Sequence, residues 1–273
     1  MEETAFLGMT RDTPCSAPVR PEKESSLLAE MVRLNRILQQ INEFNIRASE
    51  AELDSPSLIN NVNALSDQLN TWVEELPDRM RDTRANMMAF AAQGLGRIFV
   101  AIYLGYYHFG QMLFYRFLHE DTHGSSPLAR NYASKCKSHA TSLCEIVYAS
   151  DTVPGCDVKY NMVGHVLVIA STVQIHSLLF GADNAHRALA RARLEKNFCI
   201  LTHLCRLWST LDVCMERLMA FHKACRESAD TSFCLDRWMV RFLVEFANPV
   251  HDSSAARAES RDSGNCPIKK IHV

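Results

Sequence analysis

The stretch that most constrains this chain runs from Gly94 to His119, GLGRIFVAIYLGYYHFGQMLFYRFLH, where no Asp, Glu, Lys or Arg stands between Arg97 and Arg116. It is long enough for about five turns of helix and apolar on every face. Such a segment is either the buried centre of a helical bundle or a membrane span. Its polar groups, Tyr103, Tyr106, Tyr107, His108, Gln111 and Tyr115, are costly in hydrocarbon and can find partners inside a protein. The bundle is therefore the expectation, with a membrane-associated helical protein as the alternative. A bundle also explains why the helices on either side are amphipathic, since they have something to cover.

The flanking sequence fits. From Leu27 the apolar residues Leu28, Met31, Val32, Leu34, Ile37, Leu38, Ile41 and Phe44 step by three and four, the mark of one buried helix face. A second helix is expected from Ser57, with Leu58, Val62, Leu65, Leu69, Trp72, Val73 and Leu76 as its stripe and Pro77 near its end. Leu128 to Ala149 and Tyr160 to Phe180 follow, the latter almost wholly apolar. Its β-branched run Val166 to Val173 has no alternating neighbour to pair with as a strand, so helix is favoured. Asn184 to Trp208 reads as a basic helix, with Leu189, Leu194, Phe198, Leu201 and Leu204 inside and Arg187, Arg191, Arg193, Lys196 and Arg206 outside. Leu211 to Cys225 and Phe233 to Phe246 complete the set. The expected fold is all-α, a single bundle of seven or so helices over 25–249. Residues 1–24 are expected to be a disordered lead-in and 250–273 a disordered tail.

Ten cysteines in 273 residues raise the question of a secreted scaffold. The first residues show no signal-peptide core, no CxxC pair exists, and most of the thiols fall in apolar helical patterns. Reduced, intracellular cysteines acting as small hydrophobes are expected. The net charge of -2 supplies no global attraction to nucleic acid or acidic membrane. The arginines of 184–206 are diluted by Asp183 and Glu195 and read as a solvated face.

Candidate chemistry is sparse. His119-Glu120-Asp121-Thr122-His123 satisfies H-E-x-x-H, which on a helix would hold Zn²⁺ between His119 and His123 with Glu120 as general base. Gly124, Ser125, Ser126 and Pro127 follow at once, where a helix frays, and no third ligand has a recognisable spacing. A polar helix end is the expectation, with a zinc metallopeptidase as the alternative. Cys199, His203 and Cys205 stand on neighbouring turns, but without the clamp that usually opens a structural zinc site. His165 and His176 share a face and are expected to be hydrogen-bonded core residues. No nucleophile motif and no Gly-rich phosphate loop occurs. No catalytic, cofactor-binding or metal-ligating residue is therefore nominated.

The words along these helices go further. Val32-Arg33-Leu34-Asn35-Arg36-Ile37-Leu38 with Ile41-Asn42, Leu69, Trp72, Leu76-Pro77, then Leu104-Gly105-Tyr106-Tyr107-His108 and Leu113 to Leu118, resemble the regulatory "middle homology" domain of fungal binuclear zinc-cluster transcription factors. Tyr132-Ala133, Cys136, His139-Ala140, Tyr160 to His165, Leu194-Glu195, Asn197-Phe198, Trp208 to Asp212, Arg217-Leu218, Phe221-His222 and Cys225 continue the likeness in order. It covers about Leu27 to Pro249, and its specificity lies in that order.

The resemblance implies an all-α domain of a nuclear protein that regulates transcription by RNA polymerase II. It further implies protein partners or self-association through helix faces, a possible small-molecule effector, and no catalysis. The family's zinc cluster, six cysteines beginning Cys-x2-Cys-x6-Cys, has no counterpart here: Cys15 stands alone and no later spacing fits. No zinc ligand or base-reading residue carries over, and no cofactor is expected in this chain. DNA would be reached only through a missing module or a partner. The expectation is the C-terminal part of a longer factor, or a stand-alone relative that has lost DNA binding.

Overall fold

The computed structural model describes residues 26–50, 55–121, 126–181, 183–228 and 232–245. The expectations for 1–24 and 250–273 lie outside these residues. Among the described residues there are ten α-helices and no strand, so the fold is all-α. In chain order they are α1 (Leu27–Glu50), α2 (Ser55–Glu74), α3 (Arg84–Ala92), α4 (Gly96–Phe114), α5 (Phe117–Asp121), α6 (Pro127–Ser150), α7 (Met162–Phe180), α8 (Asn184–Cys205), α9 (Asp212–Glu227) and α10 (Arg237–Val244).

The charge-free stretch does form the centre. Helix α4 packs against α1, α2, α3, α6 and α7, and its Phe99, Val100, Tyr103, Leu104, Met112 and Leu113 are fully enclosed. Helix α7 is the second axis, lying against α6, α8 and α9, and every residue from Val163 to His176 is buried. The β-branched run is helical, as its isolation from any alternating neighbour requires. By length and composition α7 could cross a membrane, but 78% of its apolar window is buried inside this fold. One continuous core joins the helices from Leu27 to Leu243.

Boundaries follow local chemistry. Thr83, Ser126, Asp183 and Asp236 each cap a helix by accepting a hydrogen bond from the backbone N–H three residues on, at 2.8 to 3.2 Å, the usual service of these side chains. Pro127 occupies the first position of α6, where its missing N–H costs nothing. Gly94 adopts φ +75°, which lets the chain leave α3 and enter α4 at once.

Several sequence expectations are corrected. The central segment is not one helix: α4 stops at Phe114, Tyr115 and Arg116 form a turn, and α5 begins at Phe117. Helix α3 was not anticipated. The last helix starts at Arg237 rather than Phe233, and α8 ends at Cys205 before a 3-10 turn over Ser209–Leu211. Leu28, Val32, Leu189 and Phe198, expected inside, are exposed. On α8, Leu201 and Leu204 are buried and Leu194 packs against the core as expected, and Ala190 and the polar Asn197 complete the inward face.

Candidate functional site

Among the described residues, polar side chains enter the core at several places and join helices distant in sequence. Where α2, α4 and α6 meet, the Trp72 ring stacks on Tyr106, centroids 5.4 Å apart. Tyr103 donates to the Met80 carbonyl at 2.7 Å and Tyr107 to an Asp82 carboxylate oxygen at 2.5 Å. Burial, with the Asp82 charge adding to it, pushes both phenols well above their ordinary range. The His139 ring completes the cluster, 5.4 Å from Tyr106 and stacked on Phe114 at 6.1 Å. Gly110 makes room for that ring: a Cβ there would lie 2.5 Å from its carbons.

Between α4 and α7 the His108 and His165 rings meet at 5.8 Å. His165 Nε2 hydrogen-bonds the Leu243 carbonyl at 3.1 Å, tying α7 to the end of α10. Desolvation lowers His108 to about 4 and His165 to about 3, so both are neutral at pH 7. Two turns further along, Tyr115 donates to Thr172 Oγ1 at 2.8 Å, and His176 Nε2 bonds the Leu118 carbonyl at 2.9 Å, fixing the break between α4 and α5. His165 and His176 are thus the hydrogen-bonded core residues expected of them.

Two further hubs serve α8 and α9. Asn197, fully enclosed, donates to Ser171 Oγ at 3.0 Å and Cys144 Sγ at 3.4 Å, and accepts from the Tyr148 hydroxyl at 2.7 Å. Arg217, 1% exposed, donates to the Phe242 and Glu245 carbonyls and lies over the Phe242 ring at 4.9 Å. Arg217 holds the end of α10 as a basic group at a helix C-terminus does, with a fork that reaches two carbonyls.

The residues weighed for metal binding do not converge. His119 is half-buried at the end of α5, while the side chain of Glu120 and all of His123 fall outside the described residues. Cys199 and His203 are exposed on α8 and Cys205 is half-buried. Among the described residues no group of three or more His, Cys, Asp or Glu side chains is placed to hold a metal. A shallow depression of about 360 Å³ is lined by His222, Lys223, Arg226 and Glu227, all from α9.

At the end of the bundle where α7 begins and α8 stops, apolar side chains turn outward. Trp208 and Leu207 follow the end of α8, and Tyr160 and Met162 precede and open α7; all four are exposed. Trp208 Nε1 donates to the Lys159 carbonyl at 2.5 Å, which ties the end of α8 to the segment before α7. Sequence reasoning missed this tie, because its halves lie far apart in the chain. It also missed Tyr148, Ser171 and Thr172, for which no local pattern signals an inward polar partner.

No family model, no curated protein and no solved structure matches this chain.

Proposed function

We propose that this chain is a regulatory and protein-interaction module of a fungal-type transcription factor, acting in the nucleus on RNA polymerase II transcription, with no catalysis and no DNA reader of its own. The observation that carries the reading is where the resembling words fall. Trp72, Tyr106 and His139 form one core joint, His108 and His165 a second, Asn197 a third and Arg217 a fourth. These parts of the resembling words lie together in the interior, while Val32, Phe198 and Trp208 of the same words are exposed. Burial and hydrogen bonding occupy these histidines and tyrosines structurally, so they support a scaffold more readily than proton transfer. Partners would be proteins, or a second copy, met through helix faces; an effector seated between helices is compatible with a bundle. DNA is reached through another module or a partner.

The reading is tested by fusing the chain to a heterologous DNA-binding module in a fungal cell and measuring a reporter driven by the cognate site. Reporter output is expected to rise or fall relative to the DNA-binding module alone. Output unchanged in both directions refutes the proposal. The metallopeptidase alternative is separated by metal analysis of purified protein: one zinc per chain, lost in His119→Ala together with a peptidase activity, would replace the regulatory reading. Co-sedimentation with lipid vesicles separates the membrane alternative.

A further inference from the structure

We propose that the outward face of α1 joins a second copy of this chain, the two α1 helices running antiparallel with the two-fold axis near Gln39 and Gln40. The inference deepens the reading of this chain as an interaction module, on which it rests, by naming the face and making the partner a second copy.

Helix α1 is 24 residues long and packs against α2, α4 and α10. Its buried side carries Leu34, Ile37, Ile41 and Phe44. On the opposite side stand Leu28, Val32, Asn35, Gln39, Asn42 and Ile46, in steps of four, three, four, three and four. Leu28, Val32 and Ile46 are 43%, 57% and 40% exposed, Asn35 and Gln39 are exposed, and Asn42 is half-buried. One helix carries all of them, so the alternation of four and three lays them in a single stripe about 27 Å long. That spacing is the one by which two long helices form a seam. None of these side chains is charged, although Arg36, Glu43 and Arg47 are exposed on the same helix. Depletion of charge is what sets the core of an interface apart from the remaining surface.

The order along the stripe selects the partner. It is apolar at both ends and amide in the middle, so a reversed copy sets the Val32 end on the Ile46 end and amides against amides. Amides paired in a seam fix register at a cost in strength. Charge selects the same arrangement. Arg36 and Glu43 flank the stripe on one side, a heptad apart, which is about 10 Å along the axis and too far for them to pair with each other. Glu43 accepts a bond from Gln39 at 3.0 Å, while Arg36 is exposed and makes no ion pair among the described residues. In the antiparallel pair Arg36 of each copy comes level with Glu43 of the other, and the two-fold repeats that contact. A parallel copy instead sets Arg36 level with Arg36 and Glu43 level with Glu43, which repel.

Analytical ultracentrifugation of the full chain reads the assembly. A reversible monomer–dimer equilibrium is expected between about 1 and 500 µM, as suits a small interface. Val32→Glu, which sets a carboxylate in the seam at an exposed position, is expected to weaken the dimer roughly tenfold or more with an unchanged circular-dichroism spectrum. Arg36→Glu and Glu43→Arg are each expected to weaken it roughly tenfold, because each brings like charges together at both contacts. The chain carrying both changes should dimerise as the unaltered chain does. An equimolar mixture of the two single variants should form a mixed dimer. Four outcomes overturn the proposal: a chain that stays monomeric throughout that range, a dimer indifferent to Val32→Glu, a double variant no stronger than the single ones, or a monomer that loses thermal stability in Val32→Glu, which would give the face to a segment of the chain itself. The reporter assay stands apart. A dimer whose fusion leaves the reporter unchanged refutes the regulatory reading and keeps this face; a fusion that regulates while the chain stays monomeric removes this face and keeps the reading.

Discussion

The rings of His108 and His165 cross at 72° with their centroids 5.8 Å apart, two titratable groups face to edge in the interior of a helical bundle. Desolvation is the main reason both are held neutral, and His165 is lowered further by the neighbouring His108 and Arg217 charges, against the opposing pull of the Leu243 carbonyl. In the unfolded chain each titrates near 6.5, whereas in the fold the values are about 4 and about 3. Below pH 6.5 the unfolded state therefore binds more protons than the fold, and stability falls as pH falls toward 4. The loss is at most about 1.4 kcal/mol per pH unit for each histidine. The thermal midpoint is expected to be flat above pH 7 and to drop steeply between 6.5 and 4. His108→Leu should flatten that slope by about one proton's worth, and an unaltered slope in this variant contradicts the assignment.

Arg217 gives a second expectation, concerning α10. Its guanidinium is bonded to the carbonyls of Phe242 and Glu245 at the end of that helix, and burial lowers its pKa from the ordinary arginine range. Arg217→Met keeps the apolar stem but leaves two carbonyls without that donor, at a cost of about 3 kcal/mol. Arg217→Lys should fall between wild type and Met, because a single ammonium cannot reproduce the fork. Amide hydrogen exchange over 237–244 is the measurement. Protection there should be lost first and most in the Met variant, while α4 stays protected.

How far these features could be read in advance differs by kind. The charge-free run ending near Arg116 and the period-three-and-four stripes of α1 and α2 are properties of neighbouring residues, so the sequence alone placed them. The break after Phe114 was not legible: Tyr115 keeps helical dihedrals, φ -56° and ψ -41°, and no Gly or Pro marks the turn. It is held instead by Thr172 and His176 of a distant helix. Helix α3 escaped because it is short and has no clear stripe, although Thr83, which caps it through Asn86 N, was the available signal. On α8 the apolar period placed Leu194, Leu201 and Leu204 on the inward face but gave no sign of Asn197, whose three partners lie on α6 and α7. Trp208 reaches the Lys159 carbonyl only because the fold brings the end of α8 to the start of α7.

Asn197 should respond as a hub rather than as one bond. Asn197→Ala removes the donor to Ser171 and the acceptor for Tyr148 at once, leaving the enclosed Ser171 only its bond to the Leu167 carbonyl and Tyr148 only its bond to the Arg193 carbonyl. A loss of about 2 to 3 kcal/mol is expected in chemical unfolding. Tyr148→Phe should cost about 1 kcal/mol, and the double variant less than the sum, because both changes dismantle the same network. Full additivity would show that the two side chains act independently.

The last expectation concerns Gly110 and His139, where the sign of a substitution depends on a second residue. Gly110 lies inside α4, a position where alanine ordinarily stabilises a helix by about 0.5 to 1 kcal/mol. Here the Cβ would meet the His139 ring at 2.5 Å, and that ring is wedged among Tyr106, Tyr107 and Phe114. Gly110→Ala alone must push the ring from its packing, at a cost of about 1 to 3 kcal/mol. With the ring gone in His139→Ala, the obstruction disappears and the helix preference returns, so the same Gly110→Ala should now be neutral or stabilising. A double-mutant cycle by thermal or urea unfolding reads the difference as a coupling energy. A coupling near zero would mean that the His139 ring moves aside without cost and that Gly110 is not there to admit it.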